Sequence, residues 1–138
     1  MNLEIFKFKH FSLLIELLKS QKYPSINDIE MKTLPKIGFL AVLNKEPIAC
    51  GFLRRLEPCY AHIDTLVSNG YFGSKIRHEG INLVVDALLL EAKRLKLKGI
   101  VAHTADAGII KRAGECGFNI VEQTIIALDM NDEKKEKI

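Results

Sequence analysis

His62-Ile63-Asp64-Thr65-Leu66-Val67-Ser68-Asn69-Gly70-Tyr71-Phe72-Gly73-Ser74-Lys75-Ile76-Arg77-His78-Glu79-Gly80-Ile81-Asn82, continuing to Gly117-Phe118, is the stretch whose reading decides the fold. It reads as a strand, a glycine-bearing loop, a long amphipathic helix, a second strand and a short helix ending at Gly117-Phe118. A loop opening onto a helix N-terminus presents backbone N–H groups without intrahelical partners, and such groups can hold phosphate. The segment Arg77-His78-Glu79-Gly80-Ile81-Asn82 is placed inside that loop.

The long helix is the firmest element. From Lys75 to about Leu95, the apolar residues Ile81, Val84, Val85, Leu88, Leu89, Ala92 and Leu95 recur at helical spacing. Lys93, Arg94, Lys96 and Lys98 gather at its C-terminal end, where positive charge complements the helix dipole. Gly99 to His103 reads as a short strand. Ala107 to Cys116 reads as a helix with Gly117 as its left-handed cap, and Asn119 to Asp129 as a last strand.

Upstream, Asn2 to Lys9 alternates like a strand, and Phe11 to Gln21 carries apolar residues at three- and four-residue intervals. Pro24 closes that helix, and Ser25 with Asp28 can cap a second one running to about Met31. Ile37 to Leu43 reads as a strand, Asn44-Lys45-Glu46-Pro47 as a turn, and Ile48 to Arg55 as the returning strand of a hairpin. Tyr60 to Val67 is the next strand, and Ser68 to Ser74 is loop by composition.

The chain has 138 residues, 48% of them hydrophobic, which fits one domain (residues 1–130) with a sizeable core and a charged C-terminal tail (131–138). It contains no apolar run of membrane-spanning length, and its first residues are not built like a secretory signal. A net charge of +3 with interspersed signs argues against a nucleic-acid-binding arm, so no nucleic-acid or membrane partner is expected. Cys50, Cys59 and Cys116 are odd in number and lack metal-ligand spacing; Cys50 and Cys116 are expected as small buried hydrophobes. A reducing, cytoplasmic setting follows as an expectation.

The element order β-α-α-β-β-β-α-β-α-β, the hairpin across Asn44 to Pro47, the Arg77-x-x-Gly80 step and the Gly117-Phe118 pair together resemble the GNAT superfamily of acyltransferases, over nearly the whole chain. The resemblance implies an α/β fold: a mixed, mostly antiparallel sheet with a splayed central strand pair and helices on both faces. It implies acetyl-CoA as co-substrate, its pantetheine arm on the backbone of Thr65, Leu66 and Val67. The pyrophosphate would lie on N–H groups of Arg77, His78, Glu79, Gly80, Ile81 and Asn82, with Gly80 admitting close backbone approach. The sequence departs from the family pattern at three points. Asn82 stands at the second small-residue position, the Val67–Arg77 connection is longer than usual, and Ala113 occupies the place of a tyrosine general acid.

Acyl transfer needs a base for the amine and a donor for the oxyanion. Strand alternation puts His62 and Asp64 on one face, which makes them the acid–base candidates; a hydrogen-bonded or solvent-facing pair is the alternative reading. Tyr71 is a further catalytic candidate. His103 and Thr104 stand where the pantetheine would pass, or form a strand-end pair. Arg77 reaches a phosphate or caps the loop. His10, His62, His78 and His103 show no metal-site spacing. The acceptor is a small-molecule amine or a protein amino group, with Glu16, Asp28, Glu30 and Glu122 as possible partners for it. A homodimer through an exposed hairpin edge is also open. Two functions remain: an acetyl-CoA-dependent N-acyltransferase, or a catalytically degenerate domain that binds or regulates.

Overall fold

Five segments, with continuous apolar runs in β2 and β3 at the middle, build one open sheet, with strands β1 (Asn2–Ile5), β2 (Ile37–Leu43), β3 (Glu46–Leu56), β4 (Tyr60–Ser68) and β5 (Gly99–Val101) in that spatial order. The first three pairings are antiparallel, and β4 with β5 is parallel. The helices are α1 (Phe11–Ser20), α2 (Ser74–Arg94) and α3 (Ala107–Glu115). This is a computed structural model, and it describes residues 1–23, 29–56, 58–103, 107–121, 126 and 128. Contacts group Met1–His103 into one compact unit and Thr104–Ile138 into another.

The hairpin turns through Asn44 and Lys45 alone, with φ of 49° and 67°. Left-handed backbone at both central positions matches the right-handed twist of the flanking strands. Glu46 and Pro47 therefore belong to β3 rather than to the turn, paired with Leu43 and Val42. Pro47 lacks an N–H for the ladder, and the register slips beside it, between Ala41 and Val42.

Each sheet face carries one helix. On one face, Leu14, Leu17 and Leu18 of α1 meet Leu40, Val42, Cys50, Phe52 and Val67. Phe6 joins them edge-on to Phe52, with ring centroids 4.8 Å apart. On the other face, Ile81, Val84, Val85, Leu88 and Ala92 are the buried stripe of α2. Burying each Leu, Ile, Val or Phe side chain among these stabilises the fold by roughly 1.5–3 kcal/mol.

Two expected elements differ. The first strand ends at Ile5, because Phe6 turns into the core and its N–H bonds Gly38 O at 2.9 Å; Phe8–His10 is a 3-10 turn. The expected second helix falls largely on residues 24–28, Pro24, Ser25 and Asp28 among them, which lie outside the described residues; Met31–Thr33 is a 3-10 turn.

In β4, Cys50 pairs with Val67 and Phe52 with Asp64, so Gly51 alone faces Thr65 and Leu66. This is a β-bulge, with Thr65 at φ 50°. It changes the phase of the strand. Leu66 lies with Val84 and Leu88 around Gly51 on the α2 side, while Val67 joins the α1 core. Beyond His62 the ladder with β5 stops: the pairs are Tyr60–Gly99, Ala61–Ile100 and His62–Val101. Ile63–Ser68 therefore runs on with β3 on one side and no β5 partner on the other, and the two strands part at His62.

In the second unit, α3 ends in a left-handed cap. Gly117 has φ 92°, Phe118 N–H bonds Ala113 O at 2.9 Å, and Gly117 N–H bonds Gly114 O at 3.1 Å. That is the paired-bond termination which favours glycine. Cys116, expected buried, is exposed, because it is the cap residue beyond the helix and not part of an apolar stripe. Of the expected last strand, Asn119, Ile120 and Val121 are exposed and form no strand. Residues 122–125, 127, 129 and 130, the tail 131–138, and Thr104 lie outside the described residues.

Candidate functional site

The approach to α2 is fixed by one buried amide. Asn69, 6% exposed, donates from Nδ2 to Pro47 O (2.8 Å) and from its backbone N–H to Ile48 O (2.7 Å). Its Oδ1 accepts the Tyr71 N–H at 3.0 Å, a side-chain-closed turn. Gly70 donates its N–H to Ser20 Oγ (2.8 Å), and a Cβ there would stand 2.5 Å from Ser20 O, so no other residue fits. Gln21 Nε2 adds a bond to Ser68 O at 2.9 Å. The end of α1 and the start of β3 thus hold the loop that aims α2.

Gly73 caps α2 with extended backbone and no side-chain cap. The first intrahelical bond runs from Arg77 N–H to Gly73 O at 3.1 Å. The N–H groups of Ser74, Lys75 and Ile76 therefore lack intrahelical acceptors. Nothing stands within 4 Å of where a Gly73 Cβ would be. Lys75 is exposed beside these amides. The helix dipole adds its positive end at this point.

The segment expected as phosphate loop, Arg77 to Asn82, lies inside α2 instead, where its N–H groups serve the helix ladder. Gly80 is small for a different reason: a Cβ would come within 2.6 Å of Ile48 Cγ2, so the missing side chain lets α2 pack on β3. Ile81 belongs to the core. Asn82 is half-buried, seven residues past Lys75, or about 10 Å along the axis. Arg77 donates from Nε to Ser68 Oγ at 3.0 Å, tying the first turn to the end of β4. His78 and Glu79 are exposed on the helix.

A second cluster sits where β4 and β5 part. His62 Nε2 and His103 Nδ1 are 2.8 Å apart and share a hydrogen bond, their rings tilted with centroids at 5.0 Å. Asp64, on the same face as His62, is bound to Arg54 of β3: Arg54 Nε donates to Asp64 Oδ2 at 2.7 Å. Arg54 Nη2 also donates to Thr33 O at 3.0 Å, and Thr65 Oγ1 to Asp64 Oδ1 at 3.1 Å. Burial, then the neighbouring His103, holds the His62 pKa below the usual 6.5; Asp64 pulls the other way and Arg54 adds to the depression. His62 is thus a neutral base at pH 7, whereas Asp64 is already committed to a cation.

Tyr71 is 83% exposed in the loop. Thr65, Leu66 and Val67 lie on the bulged, β5-free part of β4, as an edge for an extended ligand requires. Glu16 and Glu30 are exposed, while Asp28 and Glu122 lie outside the described residues. Ala113 is half-buried in α3. Cys50 is buried, and its thiol pKa is pushed up by that burial. Among the described residues, no group of metal-ligating side chains could hold a metal ion, and no helix is long and apolar enough to cross a membrane. Sequence reasoning missed the amides at Ser74–Ile76, the Arg54 partner of Asp64, and the His62–His103 bond. Asn69-Gly70 followed by Gly73-Ser74 is the local signal that pointed to the first; the other two are contacts between strands and carry no local signal.

No protein-family model matches the sequence, and no curated protein does. Solved structures do. An acetyltransferase from Streptococcus agalactiae 2603 superposes with a TM-score of 0.70 at 16% identity, covering 93% of this chain and 88% of the other. A GNAT-family acetyltransferase from Staphylococcus aureus Mu50 gives 0.70 at 18%, covering 88% and 86%. Rv2747 from Mycobacterium tuberculosis, solved in complex with CoA, gives 0.63 at 18%, covering 92% and 76%. The chain has the GNAT fold, with its mixed, mostly antiparallel sheet.

Proposed function

We propose that this protein is an acetyl-CoA-dependent N-acyltransferase, with the phosphates of the co-substrate at the N-terminus of α2 and the acetyl group delivered to an amine beside His62. The observation that carries the reading is the pairing of two openings. One is the run of unbonded N–H groups at Ser74–Ile76 under an uncovered Gly73. The other is the β4 edge, Ile63–Ser68, that leads from it to the fork. The neighbouring solved structure that holds CoA has the same fold.

Acetyl-CoA supplies an activated acyl thioester. The residues present fit it: helix-end amides and Lys75 for the phosphates, and the unpaired edge around Thr65, Leu66 and Val67 for an extended arm with amide groups of its own. The phosphate position thereby moves from Arg77–Asn82 to Gly73–Ile76, while Arg77 braces the helix start through Ser68. His62, half-buried and neutral at pH 7, is the base that takes the amine proton. Asp64 orders Arg54 and the Thr33 segment rather than acting as base. Tyr71 lines the entrance to the loop.

A second reading, a CoA-binding module without catalysis, draws on Ala113 at the place of the family's tyrosine. The acceptor remains a small amine or a protein amino group. Release of CoA thiol from acetyl-CoA across a broad panel of amines, followed by a thiol reagent, decides between the two. Amine-dependent release supports the transferase; binding without release supports the module.

A further inference from the structure

Acetyl transfer to an amine that is protonated at neutral pH produces more than amide and thiol. The ammonium and the thioester together give amide, CoA thiol and one free proton: a C–S bond breaks, a C–N bond forms, and of the two N–H protons lost, one ends on sulfur. The other must leave the site. A half-buried base at the point where two strands part therefore needs an exit for its proton.

His62 has one. The last β4–β5 pair is His62–Val101, and two residues further on His103 reaches back to His62. Their nitrogens are 2.8 Å apart, hydrogen-bond distance. His62 is half-buried and His103 exposed, so the bond runs from the fork to the surface. Among the described residues, the other charged groups facing His62 are Asp64 on its own strand and Arg54 on β3, already bound to each other at 2.7 Å; the 3-10 segment contributes Thr33 O, bound to Arg54. Neither side chain competes for the imidazole proton.

We propose that His62 and His103 form a two-imidazole proton relay, a role that rests on the transferase reading above. His62 starts with its proton on Nε2, donated to His103 Nδ1, and with Nδ1 as acceptor. The amine N–H bond breaks as His62 Nδ1–H forms; the Nε2 proton passes to His103 Nδ1; the Nε2 proton of His103 leaves to water or buffer. Once the products have left, His62 Nδ1 releases its proton to water in the emptied site, His103 Nε2 takes one from solvent and His103 Nδ1 returns one to His62 Nε2; one proton out and one in restore the starting tautomers. His62 is the catalytic residue, and His103 is a positioning residue that also carries the proton away. Two imidazoles 2.8 Å apart cannot both be cations without losing the bond.

The test has two arms. In the first, long-range 1H–15N NMR follows both imidazoles through a pH titration of the full chain, wild type and His103→Gln. The relay expects His62 to titrate higher in His103→Gln than in the wild type, since a like charge has been removed. An unchanged His62 titration overturns the pair whatever the enzymology. In the second, kcat for acetyl transfer falls in His103→Ala at unchanged KM for acetyl-CoA, and imidazole in the buffer restores it. A kcat that does not fall, or a loss that imidazole leaves untouched, reduces the contact to a strand-end clasp and overturns the relay. A wild type that transfers acetyl to no amine sinks the transferase reading, and the relay with it; the NMR arm then still reports whether the two rings are coupled.

Discussion

Gly80 and His62 show what single positions contribute. Gly80 sits in a helix, where alanine is favoured by about 1 kcal/mol, yet a Cβ there would stand 2.6 Å from Ile48 Cγ2 on a strand whose β-branched side chain has little room to yield. Gly80→Ala is expected to destabilise the fold by about 1–2 kcal/mol in urea melts, since overpacking outweighs the helical gain. Acetyl-CoA affinity should stay unchanged; a lost affinity with intact stability would return Gly80 to the phosphate site. His62 acts through protonation. Folded His62 holds its proton less firmly than an unfolded imidazole at 6.5, so the unfolded chain binds the extra proton as pH falls below that value. Its contribution to stability is whole above 6.5 and is lost on acidification. The fall in stability between about pH 7.5 and about pH 5.5 should be smaller in His62→Gln than in the wild type. Equal falls in the two proteins would contradict this environment for His62.

At the level of elements, the strands and long helix were legible because their patterns are local. Ile37–Leu43 reads directly as an apolar strand, and the α2 stripe from Ile81 to Ala92 repeats over several turns. What sequence could not show lies in contacts between elements. The Arg77-x-x-Gly80 step looked like a loop because its glycine precedes the apolar stripe, but Ile48 of β3 is what requires that glycine. The bulge at Thr65 shifts the phase of β4 without any local mark, since threonine is an ordinary strand residue. The start of α2 was equally quiet, because Gly73 caps without a side chain. That bare cap makes a sharp prediction. Gly73→Asp places a carboxylate in open space at the helix end, where it can accept the free N–H groups, so the unliganded protein should gain a few tenths of a kcal/mol. The same carboxylate competes with phosphate, and acetyl-CoA affinity should fall on the order of tenfold, about 1.4 kcal/mol. Calorimetry of the two proteins checks both signs. Stability and affinity rising together would move the phosphates elsewhere.

For the molecule as a whole, the sheet does two things at once. Its β3 side is a packed, two-faced core that fixes where α1 and α2 end. Among the described residues its β4 side has no β5 partner past His62, and the proposed function lays an extended ligand on that edge. In the proposed function, helix-end amides at one end of that edge hold the phosphates and a neutral histidine at the other takes the amine proton. The order of elements that suggested this fold was readable from the chain. The acceptor was not, because the candidate carboxylates Glu16, Asp28, Glu30 and Glu122 stand in separate segments and form no pattern in sequence. The central claim is that this edge and helix end take acetyl-CoA. Thermal unfolding of the wild-type protein with and without acetyl-CoA tests it most directly. A ligand at about 100 times its dissociation constant stabilises the folded state by about 2.7 kcal/mol, and a raised melting temperature is the predicted result. An unshifted transition at millimolar acetyl-CoA would contradict the account.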